Sequence, residues 1–96
     1  MKDFKEIIAK KLEEKELGLS YDEIYNLIEI PPRDDMGDYS FPCFSLAKTL
    51  RKNPAIIASD LSKDIKIENF LKIESLNAYL NFFVDRNYYQ NEILNE

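Results

Sequence analysis

Residues 77–85 read "NAYLNFFVD", and this stretch decides the fold. Side chains alternate along a strand, so Leu80, Phe82 and Val84 fall on one face and Asn77, Tyr79, Asn81, Phe83 and Asp85 on the other. The first face is purely apolar and belongs to a core. The second mixes aromatic rings with amides. Immediately upstream, "FLKIESL" at residues 70–76 also alternates, and a tight connection near Asn77 makes the two runs an antiparallel hairpin.

Working outward, "KNPAIIASDL" places Asn53 before Pro54 as a cap and first-position pair, predicting a helix to about Asp64 that buries Ile57, Ala58 and Leu61. Before it, "YSFPCFSLAKTLRKN" reads as a helix with Pro42 in its first turn and a stripe of Cys43, Leu46, Ala47 and Leu50. "RDDMGD" is a polar loop in which Gly37 takes a positive φ. "LIEIPP" reads as a short strand with Ile28 and Ile30 on one face, stopped by Pro31 and Pro32. "SYDE" is a capping box that starts a helix at about Tyr21. Phe4, Ile7, Ile8 and Leu12 describe an amphipathic first helix ending at Gly18. "RNYYQNEILNE" at the C-terminus returns to helical character with Tyr89 and Ile93 as an apolar pair, and its uncapped end reads as a cut from a longer protein. The expected fold class is α+β, a small antiparallel sheet of three to four strands packed with four to five helices, in one domain over residues 1–96.

The 96 residues suit one core, and the apolar fraction of 45% fits a folded chain. A lone cysteine, Cys43, excludes an internal disulfide and fits a reducing cytoplasm. No run approaches the roughly 20 apolar residues of a membrane span. The N-terminus interleaves charges where a signal peptide would be apolar. Net charge is −5, from 18 acidic and 13 basic residues, which disfavours a polyanionic partner until the distribution is read. Residues 21–40 hold six acids and one base, whereas residues 41–72 hold six bases and three acids. The middle of the chain is locally positive, with Lys48, Arg51 and Lys52 clustered, although solvated helix faces are the better account of such charges taken alone.

Catalytic machinery is missing from the composition. There is no histidine, and a single cysteine makes no thiolate metal site. Gly18 and Gly37 are the only glycines, so no phosphate-binding glycine loop exists, and the acids of "RDDMGD" lack the spacing of a calcium loop. No catalytic residue, metal or cofactor is expected in this chain, which should bind rather than catalyse. On the open face of the hairpin, Tyr79 offers a ring for stacking on an unpaired base and Asn81 an amide for that base's edge. Spacing alone favours the plainer reading, in which Tyr79 and Phe83 pack beneath a helix while Asn81 satisfies backbone. A protein-interaction or cis-docking domain is the corresponding alternative function.

The succession "IEIPP", "MGDYSFPCFSLAK", "KNPAIIASDL" and "AYLNFFVD", covering nearly all of the chain, resembles the N-terminal appended domain of arginyl-tRNA synthetase. The resemblance implies an α+β module that contacts the D-loop and elbow of arginine tRNA. It implies that the strand entering the last helix carries an aromatic residue and, two positions on, an amide that recognise an unpaired base. Tyr79 and Asn81 match those positions. Asn77, just before them, and Lys48, Arg51 and Lys52 are further candidate contacts. The family commonly has Gly immediately before the aromatic, where this chain has Ala78. The resemblance also implies a catalytic domain downstream of residue 96, carrying the His-Ile-Gly-His and Lys-Met-Ser-Lys-Ser type signatures absent here and using ATP to charge the tRNA. The implied assembly is a cytoplasmic monomer without membrane contact, in which this domain packs on the catalytic domain of the same chain.

Overall fold

The computed structural model describes residues 3–85 and 87. Among the described residues four helices and a three-stranded antiparallel sheet make an α+β fold, as the sequence predicts. Helix α1 (Phe4–Glu13) begins where the Asp3 carboxylate accepts the Glu6 N–H, and it buries Ile8, Ala9 and Leu12. It stops short of the expected Gly18. The turn that follows carries positive φ at both Glu16 and Gly18, and a Cβ on Gly18 would lie 2.7 Å from the Thr49 methyl. Helix α2 (Tyr21–Leu27) opens with the reciprocal Ser20–Glu23 capping box. The expected strand at "LIEIPP" contracts to one bridge, in which Glu29 and Ser40 exchange both backbone hydrogen bonds.

The largest departure lies at residues 39–53. Instead of one long helix, the chain forms strand β1 (Tyr39–Pro42), a 3-10 turn over Cys43–Leu46 and a single-turn helix α3 (Ala47–Leu50) that ends with Arg51 in left-handed conformation. Tyr39 and Phe41 alternate with Ser40 and Pro42, and this short aromatic alternation wins because a partner strand waits far along the chain. Pro42 is tolerated because Ser40 directs its N–H away from the sheet centre, toward Glu29. Two residues later the missing Pro42 N–H falls on that same outer side. Helix α4 (Pro54–Asp64) matches the expectation from Asn53, whose side chain accepts the Ala55 N–H, and from Ile57, Ala58 and Leu61, which are buried.

Strands β2 (Phe70–Leu76) and β3 (Tyr79–Val84) form the expected hairpin, joined by Asn77 and Ala78, with Asn77 at φ 53°. Ala78 has no positive φ, so its Cβ strains no backbone, and its carbonyl accepts the Cys43 N–H. The strand order is β1-β3-β2, which puts β3 at the centre. Phe41, Leu80, Phe82 and Val84 are buried on the inner face. Phe4 of α1 meets Tyr39 and Phe70 ring to ring at 6.1 and 6.3 Å on this side, and α4 packs against β2 and β3.

The "MGDY" motif acquires a physical reason in this frame. The Asp38 N–H donates to the Phe82 carbonyl, while the Asp38 carboxylate accepts the Val84 N–H at 2.9 Å, extending the pairing of β3 beyond β1. The approach is tight. A Cβ on Gly37, which sits at φ 86°, would lie 2.7 Å from the Phe82 carbonyl oxygen. Among the described residues no helix is long and apolar enough to cross a membrane. The C-terminal helical expectation falls on residues 86–96, nearly all of which lie outside the described residues.

Two outcomes test this packing. Gly37→Ala meets both a positive φ and a backbone oxygen, so urea unfolding should show a loss of about 1–3 kcal/mol. Burial pushes the Cys43 thiol up from 9.0 to about 12. Above pH 9 the unfolded chain therefore releases this proton while the folded chain retains it, and Cys43 should favour unfolding increasingly between pH 9 and 12. Alkylation by iodoacetamide at pH 9 should accordingly occur only through unfolding, with a urea dependence equal to that of global unfolding.

Candidate nucleic-acid interface

The outer face of the sheet carries the residues singled out from the sequence. Strand registers place Tyr79 between Pro42 and Leu76, Asn81 between Ser40 and Glu74, and Phe83 beside Lys72. Glu29 extends the middle row through its bridge to Ser40, so the row reads Glu29, Ser40, Asn81, Glu74 across four segments of chain. Tyr79 is half-buried, and its ring meets Phe44 edge-on at 5.7 Å and 83°. Phe44 itself is 55% exposed. The pair forms an aromatic corner. Leu76 and Pro42 border it.

Asn81 is more enclosed than strand alternation suggests, with 2% of its surface exposed, and Ser40 beside it is fully buried. The Ser40 hydroxyl donates to Asn81 Oδ1 at 2.8 Å. That is the one side-chain hydrogen bond of Asn81 among the described residues, and no fully buried side-chain nitrogen or oxygen among them lacks a partner. On the third row, Lys72 Nζ lies 4.5 Å above the Phe83 ring and 2.6 Å from Glu74.

Electrostatically, this face is a poor seat for phosphate. Carboxylates end the row on both sides, Glu74 beside the amide and Glu29 beyond Ser40, and Lys72 is already engaged by Glu74. A flat uncharged ring that carries its own N–H donors suits it better, because the rings offer stacking area and the carboxylates accept.

The other sequence candidates separate from this cluster. Asn77 is exposed and serves the hairpin turn with its positive φ. Lys48, Arg51 and Lys52 do not occupy successive turns of one long helix, since α3 is a single turn. Lys48 is exposed on it, Arg51 is its left-handed terminal residue, and Lys52 pairs with Asp60 of α4 at 3.7 Å. Ser40 and Phe44 belong to the face and escape the sequence reading, which assigns both to a helix. Recognising "YSFP" as a strand would have put Ser40 opposite the polar side of β3.

Comparison with known proteins decides the lineage. The family model described as arginyl tRNA synthetase N terminal domain matches residues 2–84. The chain belongs to this family. It is 51% identical over 84 residues to an arginine–tRNA ligase of Clostridium botulinum (strain Loch Maree / Type A3), covering 88% of this chain and 15% of that protein. It is 44% identical over 94 residues to the arginine–tRNA ligase of Clostridium perfringens strain 13, covering 98% of this chain and 16% of that protein. The fold matches the solved structure of Thermus thermophilus arginyl-tRNA synthetase with a TM-score of 0.68 and 31% identity, over 95% of this chain and 15% of that one. The chain thus spans only a small fraction of the length of these relatives.

The geometry separates core from face on a single strand. Phe82→Ala empties the centre of the core and should cost about 3–5 kcal/mol. Tyr79→Ala should cost far less, since it forfeits partial burial and an edge-on ring pair worth about 0.5–1.5 kcal/mol beyond its area. Parallel urea unfolding of the two variants reads the difference.

Proposed function

We propose that the chain is the appended N-terminal domain of an arginine–tRNA ligase and recognises the D-loop and elbow of arginine tRNA. One observation carries this reading. A half-buried tyrosine, edge-on to Phe44, stands two residues from an amide hydrogen-bonded to Ser40, both on the face of the sheet opposite the core. Positions i and i+2 on a strand lie roughly 6.8 Å apart, close enough for one nucleotide to stack on the ring while its edge meets the amide. Membership of the family supports the partner, since the relatives carry the name of a ligase that charges tRNA.

In this reading Tyr79 supplies stacking and Asn81 supplies the hydrogen bond that distinguishes bases. Asn77 holds the hairpin turn at the mouth of the face. Arg51 and Lys48, which are exposed, and Lys52, which Asp60 shares, are candidate backbone contacts. Activation of arginine with ATP and transfer to tRNA belong to the remainder of the ligase, a catalytic domain outside residues 1–96 on which this domain docks. The ligase would work in the cytoplasm as a monomer.

The experiment is tRNA charging by the full-length ligase. Tyr79→Ala should remove about 1–3 kcal/mol of stacking from the tRNA complex. Asn81→Ala should lower the preference between wild-type and D-loop-substituted arginine tRNAs more than it lowers affinity at low salt. Replacing any one of Lys48, Arg51 or Lys52 should, where it meets phosphate, weaken all tRNAs alike and reduce the salt slope by about one unit. If Tyr79→Ala and Asn81→Ala charge wild-type and D-loop-substituted tRNAs with unchanged kcat/KM, the base-reading role is wrong. In that case the face serves docking.

A further inference from the structure

We propose that the groove between the end of α4 and the edge strand β2 is a seat for the phosphate backbone of the tRNA, with Lys63 and Lys66 as its cationic contacts. The proposal rests on the tRNA partner of the proposed function and adds a second surface to it, one that supplies charge rather than base contacts.

The acidic total of the chain hides how its cations are engaged. Lys10, Lys11, Lys15, Arg33, Lys52 and Lys72 each pair with a carboxylate. Lys5 lies over the Tyr25 ring at 4.7 Å. Among the described residues Lys48, Arg51, Lys63 and Lys66 are left without a carboxylate partner, and all four are exposed. They form two groups. Lys48 and Arg51 precede α4, whereas Lys63 stands in its last turn and Lys66 just beyond it. A helix of 11 residues holds the groups roughly 16 Å apart.

The second group lines a groove of about 440 Å³ whose other wall is β2, where Lys72 joins it. Among the described residues no carboxylate lines this groove. Of the acids in the same stretch of chain, Asp64 is taken by Lys15 at 2.8 Å and Glu68 lies outside the lining. The apolar part of the lining is already spent on the fold: Ile65 is buried, and Ile67, Phe70 and Ile73 pack against the core. What the groove offers a partner is therefore chiefly positive charge, beside the exposed Leu71. An anionic occupant fits it.

Lys63 has a structural reason for its place, since a cation in the last turn of a helix meets the negative end of the dipole. Lys66 has none, for it follows the terminal residue Ile65. Two uncompensated ammonium groups lining one groove repel each other, and a phosphate seated between them answers both. Lys72 connects the groove to the reading face, because its Nζ also lies 4.5 Å above the Phe83 ring. From Lys72 to Leu76, the neighbour of Tyr79, β2 runs four residues, or roughly 13 Å. A tRNA strand with one base on Tyr79 thus has phosphates a few nucleotides away within reach of the groove.

The test uses the full-length ligase carrying Lys63→Gln, Lys66→Gln, both together, or Lys66→Arg, with Tyr79→Ala as the reference for base reading. The dissociation constant for arginine tRNA is measured between about 50 and 200 mM salt. Charging of wild-type and D-loop-substituted tRNAs and urea unfolding are measured in parallel. Each Gln substitution should lower the salt slope by about one unit and the pair by about two. Across that range the wild type then loses roughly 10-fold more affinity than the double variant. Lys66→Arg should keep the full slope, and the ratio of kcat/KM between wild-type and D-loop-substituted tRNAs should be unchanged in all the lysine variants. Should Lys63→Gln loosen the end of α4, Lys66→Gln alone carries the test. An unchanged slope in the folded variants overturns the phosphate seat. So does a loss of affinity equal at every salt concentration, which marks the groove as a docking surface for protein. Base reading fails by a separate sign, unchanged kcat/KM of Tyr79→Ala on every tRNA, and a lowered slope in the lysine variants then leaves the phosphate seat standing.

Discussion

The pairing of β3 on both edges is the constraint from which the rest of the structure follows. Strand β1 holds one edge and β2 the other, and the Asp38 carboxylate takes the Val84 N–H near the end of the strand. Leu80, Phe82 and Val84 are sealed beneath it. A strand so held cannot slip, because a shift by one residue would bring Tyr79, Asn81 and Phe83 into the core and expose the apolar set. Gly37 allows the loop preceding β1 to close against Phe82, so a residue without a side chain completes the grip on the centre of the sheet.

Rigidity on the inner face is what makes the outer face usable. In the proposed function Tyr79 and Asn81 need fixed positions, and the strand pairing on both sides of them supplies these. A buried serine–asparagine pair contributes little net stability compared with apolar side chains of the same size, since each partner gives up water for the other. A like contrast separates Phe44 from Phe82: one ring is half in solvent and meets Tyr79 edge-on, the other is enclosed and holds the domain together.

Much of this was legible where the signal is local. The Ser20–Glu23 capping box, the Asn53–Pro54 start of α4 and the hairpin around Asn77 each depend on residues within a few positions, and the structure has all three. Strand β1 was not legible in that way. Four residues of alternation are outweighed on paper by the helical spacing of Cys43, Leu46, Ala47 and Leu50, and Pro42 fits a helix start as well as a strand edge. What settles it is pairing with β3, some forty residues away, which no local window contains. The candidate site divides along the same line. Tyr79 and Asn81 follow from the alternation of β3 itself, whereas Ser40 and Phe44 join them only across strands and turns, and Asn81 meets its neighbours Ser40 and Glu74 only through pairing with β1 and β2.

The charge of the chain fits this division of labour. With a net charge of −5 and a carboxylate beside its amide, the domain is ill suited to hold a polyanion by itself. In the proposed function it does not need to. Phosphate contacts supply affinity without sequence information, and contacts to bases supply information with modest affinity. A ligase that draws its affinity from other parts of its surface can spend this domain on discrimination. Negative charge on the reading face then becomes useful, because it discourages phosphates from occupying a site meant for a base. In that function a stacking ring and an amide act at contact distance and depend little on salt, whereas phosphate contacts weaken steeply with it. Discrimination by this face should therefore persist at salt concentrations where overall affinity falls, which is the behaviour expected of a domain that reads a tRNA held mainly by the rest of the enzyme.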